Sequence, residues 1–397
     1  MKKIIALTFF VATTLSLSAQ NTWISKSAFG GTGRCAAVGF SIGSKGYIGT
    51  GYDINYAVQD DFWEWDQTTN TWTQKATFPG GARGWATAFS IGTKGYITTG
   101  SGNFIYSDLW EYDPSTNSWT AKTPLPATYR IAAVAFSIGA KGYVGLGEDN
   151  AGVHLKDFWE YDQATDSWTQ KANFAGTARS YAVGFSIGAK AYVGTGLDIN
   201  STQQDFWEWD QATNTWTRKA DFAGGTRQAA VAFSIGNLGY IGTGAGQHYN
   251  TYKDFWEYDP ATDVWTAKAN MNANARWVAT GFSCNGKGYI GTGFAGAYVN
   301  DFKEYTPAPV GIENFSANEI NVNVYPNPFF ESVTFSFEQA QPNSQLLIFD
   351  ASGKEVRKIN FSGAEVKMEK GDLANGIYIY KIIAENGKSF SGKLSVE

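Results

Sequence analysis

The chain has 397 residues, 43% of them apolar and 17% charged, with a formal charge of −5. That balance excludes the basic stripe of a nucleic-acid or anionic-membrane binder, and no apolar run past the N-terminus is long enough for a membrane span. Forty-five glycines and 16% aromatics point instead to many short strands joined by tight turns.

The first element, "MKKIIALTFFVATTLSLSAQ", places Lys2 and Lys3 before a short apolar core and the small residues Ser16, Ser18 and Ala19. It reads as a secretory signal over 1–19, cleaved near Ser18 or Ala19. No cysteine directly follows the core, so a bacterial lipid anchor is not expected. "NTWISK" (21–26) comes next and looks like the tail of a motif whose front half is missing.

From residue 34 one unit recurs six times. Aromatic-acidic runs start at Phe62, Leu109, Phe158, Phe206, Phe255 and Phe302, spaced by 47, 49, 48, 49 and 47 residues. Arg34, Arg83, Arg130, Arg179, Arg227 and Arg276 keep step, each 11 residues after a tryptophan and each followed by an apolar stretch ending in Phe-Ser. "GYIGTG" at 46–51 has echoes at 95, 142, 191, 239 and 288. Each unit thus predicts four strands: a after the Arg, b at "GYIGTG", c at "DFWEYD" and d at the tryptophan, with Gly-x-Lys-Gly and Asp-x-x-Thr turns between them. Four strands in nearly 50 residues without a helical period is the signature of a propeller blade. The sixth copy, "FKEYT", stops without a strand d, and Asn21-Thr22-Trp23 supplies it. The expectation is all-β: a six-bladed β-propeller over 20–306 closed by the N-terminal strand, which removes free sheet edges.

The Arg before strand a, the glycines ending strand b, the aromatic-acidic strand c and the strand d Trp resemble the Kelch repeat over 21–306, with Gly-Thr-Gly where Kelch repeats usually carry Gly-Gly. Strand alternation sorts the loops onto two faces. The a–b and c–d turns are nearly identical between copies, whereas the b–c loops differ in every copy ("YDINYAVQD", "SGNFIYS", "EDNAGVHLK", "LDINSTQQ", "AGQHYNTYK", "FAGAYVN") and share the other face with the d–a loops. An asymmetric ligand needs an asymmetric site, so the variable face is where a protein or glycan ligand is expected. The six arginines lie on that face. They form a cationic ring for carboxylates, as the Kelch resemblance allows, or each pairs with the equally regular acid of strand c, such as Asp61 or Glu64. Trp85, Tyr181 and Trp277 follow their arginines by one or two residues and either fill core or line the channel mouth. Trp63 and Trp65 alternate as core between blades.

Little chemistry is legible. His154 and His248 read as surface-loop residues without the neighbours of a zinc site, and "YDIN" and "LDIN" lack the Gly and distal Glu of a calcium loop. No metal or cofactor is expected. Cys35 and Cys284 start and end neighbouring strands a, too far apart for a disulfide, and read as buried, inert thiols. The enzymatic alternative is a sugar-acid mutarotase or epimerase, since six-bladed Kelch propellers of that kind exist. It would use the arginines for the substrate carboxylate and Glu148 or Asp149 as base.

Composition changes after Tyr305: all fifteen tryptophans lie at or before Trp277. Residues 307–321 read as a linker, and 322–397 as short alternating strands of a small Ig-like sandwich. Tyr325-Pro326-Asn327-Pro328, Asp350-x-x-Gly353-Lys354, Leu373-x-x-Gly376-x-Tyr378 and Gly392-Lys393-Leu394 resemble the type A C-terminal sorting domain of the type IX secretion system. The resemblance implies engagement of that machinery through 322–397, export through the periplasm and across the outer membrane, and a secreted or surface-held product. A monomer is expected.

Overall fold

Each copy of the repeat folds as a four-stranded antiparallel sheet. The structure, a computed structural model, describes residues 21–308, 322–350, 354–385 and 389–397. The signal expected at 1–19 and most of the linker expected at 307–321 lie outside the described residues. Contacts divide the chain into two units, 1–308 and 309–397.

In the first copy, strand a is Val38–Ile42, b is Lys45–Gly49, c is Phe62–Asp66 and d is Thr71–Gln74, hydrogen-bonded in that order. The next four copies repeat this sheet. The sixth takes its outer strand from the other end of the chain. Thr22–Lys26 pairs antiparallel with Phe302–Thr306, setting Trp23 opposite Tyr305. Trp23 is buried, packs edge-on against Phe255 and donates its indole N–H to the Ala269 carbonyl at 2.8 Å. The motif fragment at the chain's start is therefore a working part of the last sheet.

Strand a of each sheet packs against strand a of the next, from Val38–Ile42 through Thr87–Ile91, Val134–Ile138, Val183–Ile187, Val231–Ile235 and Thr280–Cys284 back to Val38–Ile42. The cores lie between sheets: Val134, Phe136 and Tyr143 of the third meet Val193 and Trp209 of the fourth. Close approach explains one glycine. At Gly46, Gly95, Gly142, Gly239 and Gly288 a Cβ would meet the neighbouring sheet's phenylalanine ring at 2.1–2.3 Å. Here the missing side chain lets adjacent sheets interlock.

The second unit is one five-stranded antiparallel sheet. Two runs expected as separate short strands, Val333–Phe337 and that starting at Gln345, are halves of one long strand, Ser332–Phe349. Register shifts between Ser336 and Ser344 separate the halves, so each turns its own apolar side chains inward despite the continuous backbone. Phe329, Val333, Phe335, Leu346, Ile348, Met368, Ile382 and Leu394 form its core.

Candidate functional site

The six arginines recur at the same place in every copy of the repeat. All are buried, and each grips the aspartate immediately before strand c: Asp61, Asp108, Asp157, Asp205, Asp254 and Asp301. The grip is bidentate, with Nη2 donating to Oδ2 at 2.6–2.9 Å. Nη1 also donates to the backbone carbonyl of Thr50, Thr99, Leu146, Thr195, Thr243 or Thr292 at 2.9–3.0 Å. In five copies Asp Oδ2 accepts the indole N–H of the strand c tryptophan as well. In the sixth, Lys303 replaces that tryptophan and approaches Asp301 to 3.8 Å.

This corrects the cationic-ring reading of Arg34, Arg83, Arg130, Arg179, Arg227 and Arg276. A guanidinium without solvent exposure, its fork filled by a carboxylate, presents nothing to a ligand. Glu64 is not the partner. It sits mid-strand, where it accepts from the Tyr47 hydroxyl at 2.7 Å and pairs with Lys75. Burial raises the acid range of Asp157 and Asp205, but hydrogen bonds and charge from Arg130 and Arg179 outweigh it, so both carboxyls titrate below their ordinary range.

Above the arginines, a feature with no sequence signal circles the axis. Ala36, Trp85, Ala132, Tyr181, Ala229 and Val278, each two residues after its arginine, all adopt left-handed backbone with φ of 49–56°. Each N–H donates to the carbonyl of the equivalent residue in the preceding copy, at 2.9–3.2 Å, and Ala36 donates to Val278. The six bonds form a closed ring. Glycine or asparagine normally announces such backbone, and here alanine, valine and two aromatics adopt it because the ring compensates its cost.

Trp85 and Tyr181 reach across Ala132 and meet edge to face, centroids 5.0 Å apart, over a cavity lined mainly by alanines of all six copies. Trp277 packs with Tyr249 at 5.2 Å. Trp85 and Tyr181 therefore line this mouth and Trp277 does not, and all three are half-buried. Their polar ends are unengaged. Among the described residues the Trp85 and Trp277 indole nitrogens and the Tyr181 hydroxyl have no hydrogen-bond partner, whereas twelve of the other thirteen indoles donate to an acceptor.

Glu148 stands beside Tyr181. Its backbone exchanges two hydrogen bonds with Ile131, and Oε2 accepts from the Ser180 hydroxyl at 3.3 Å. Burial, and then the Glu148 charge, push the Tyr181 hydroxyl up to about 12. His154, expected as a surface residue, is only 11% exposed, with Nδ1 3.8 Å from Glu148 Oε2. Asp149 points elsewhere: its Oδ1 accepts the Ala151 and Val153 N–H groups and fixes the loop. Asp53 and Asp198 set their loops the same way. His248 lies in an exposed turn.

Both cysteines are unpaired and buried, and burial raises each thiol to about 11, far from a nucleophile's range. Among the described residues no group of three or more His, Cys, Asp or Glu is placed to hold a metal, and no helix is long and apolar enough to cross a membrane.

Comparison with known proteins resolves the C-terminal part first. Residues 323–397 match the secretion system C-terminal sorting domain. The chain is thus exported by the type IX secretion system to the cell surface or extracellular space. For the repeats, the solved structure titled "Structure of YjhT" is similar with a TM-score of 0.61 and 17% identity, covering 73% of this chain and 98% of that one. At that identity the likeness concerns the fold, and it supports a propeller. No curated protein matches the chain.

Proposed function

We propose that this is a secreted or surface-displayed six-bladed Kelch-type propeller that binds a protein or glycan through its variable-loop face, joined to an Ig-like sorting domain. Six four-stranded sheets in cyclic contact, the shared final sheet and the arginine-to-strand-c pairing support the Kelch reading. One observation carries the binding role. The tips of five of the six b–c loops expose large apolar side chains: Ile54 at 65%, Tyr56 at 76%, Phe104 at 74%, Val153 at 55%, Ile199 at 82% and Tyr249 at 65%. The a–b and c–d turns expose none among the described residues. A soluble protein keeps such a crown out of water by binding something.

The sugar-acid enzyme reading needed free arginines, and those are engaged with aspartates. The test is capture of glycans and surface proteins on arrays by the full chain, compared with Tyr56→Ser, Phe104→Ser and Ile199→Ser. Binding that these changes abolish, and that Lys141→Ser on the opposite face spares, is expected. Capture indifferent to all three would move the site off this face.

A further inference from the structure

The chemistry of the mouth specifies a class of ligand, an inference that rests on the variable face being the binding face. The variable loops carry Asp53, Asp60, Glu148, Asp149 and Asp198 against Lys156 and Lys253, while the d–a loops add Asp221, paired with Arg218, and Lys75 and Lys171, paired with Glu64 and Glu160 of strand c. With every strand a arginine neutralised below, the face is acidic. At its centre lie the half-buried rings of Trp85 and Tyr181 and, beside Tyr181, the Glu148 carboxylate, whose backbone is tied to Ile131. Glu148 Oε2 has only the 3.3 Å Ser180 contact and the more distant His154, and among the described residues Oε1 accepts nothing. Aromatic faces attract cations through their quadrupole, and a carboxylate beside them completes a cation site.

We propose that the mouth receives a positively charged side chain, the ammonium of a lysine or the guanidinium of an arginine presented by a partner protein, held on Trp85 and Tyr181 with Glu148 as its counter-ion. The preference is opposite to that of a propeller using free arginines to hold acidic ligands. Three adjacent copies build the site: Trp85 from the second, Glu148 from the third and Tyr181 from the fourth. Their equivalents in other copies differ, so the site occurs once around the ring.

The experiment is calorimetric titration of the full chain with an acetylated, amidated peptide carrying two lysines and two arginines among glycines and serines. Its glutamate counterpart and free glucosamine serve as comparison ligands. The basic peptide is expected to bind and the acidic one not. Glu148→Gln should weaken binding by roughly ten- to a hundredfold and Trp85→Ala by about five- to thirtyfold. Trp85→Ala is structurally safe, because alanine already occupies the equivalent left-handed position at Ala36, Ala132 and Ala229. No binding of the basic peptide, equal binding of the acidic one, or indifference to both substitutions overturns the proposal. Glucosamine binding alone, with the same dependence on Glu148 and Trp85, replaces the partner protein with an amino sugar and also overturns it. If the peptide fails while array capture still depends on Tyr56 and Phe104, the cation site falls and the binding face stands. Failure of both removes both.

Discussion

Two layers a few residues apart on the same strands obey opposite rules. The arginine–aspartate layer is identical in six copies, its guanidinium groups are buried and its aspartates half-buried, and its charges are closed upon themselves. The mouth just above varies between copies, with alanine in three, and leaves indole and phenol groups without partners among the described residues. Repetition here marks groups that hold the ring together, and departure from repetition marks groups available to something else. An arginine kept six times is thus weaker evidence for a ligand than a tryptophan kept once.

The largest effect is expected at the closing strand, which belongs wholly to the ring. Trp23→Ala should cost about 3–5 kcal/mol in a denaturant titration, and deletion of 21–26 more, because it leaves Phe302–Thr306 as an open edge. Next, Asp157→Ala strands a buried guanidinium and should cost about 3–5 kcal/mol, while Phe104→Ser on the rim should stay within about 0.5 kcal/mol. Equal losses at the two sites would erase the distinction between layers.

Acid should act on the same layer. The folded carboxyls of Asp157 and Asp205 lie below their ordinary range, so the unfolded chain binds more protons in mild acid. Their stabilisation is fully present above about pH 4 and is lost as pH falls through the folded values. Asp157→Asn should flatten the fall of melting temperature below pH 4, and an unchanged slope would contradict the pairing. The smallest effect is expected at the strand b ends. Thr50, Thr99, Thr195, Thr243 and Thr292 hold left-handed backbone with a buried, unpartnered hydroxyl, at the place where the third copy has Leu146. Thr99→Gly should raise stability by about 1 kcal/mol, read as a higher melting temperature.

Much of this architecture was legible because each feature is written six times. The spacing of Arg, Gly-Thr-Gly, aromatic-acidic run and Trp gave the strands, and the copy lacking a strand d pointed to residues 21–23. The arginine's partner was only half legible. Asp61 and Glu64 recur with equal regularity, and what separates them is position: one at the strand's mouth end beside the guanidinium, the other facing Tyr47 from mid-strand. The backbone ring was invisible, since no glycine marks its left-handed residues. His154 departs from the surface expectation because loop membership does not reveal that the loop folds back on Glu148. The joined strand at 332–349 was hidden by polar residues at its bend, which look like a turn.

The shared final sheet has a consequence for how the chain is made. Trp23 and Tyr305 sit opposite each other across almost the whole repeat region, so the first strand of the ring to be synthesised is among the last to find its partner. Until 302–306 emerges, Thr22–Lys26 has no place in any sheet. Its short length and terminal lysine, which ends up 3.3 Å from Glu304, suit a segment that must wait without pairing wrongly. Synthesis runs one way along the chain, but the circle is sealed only when its two ends are present together.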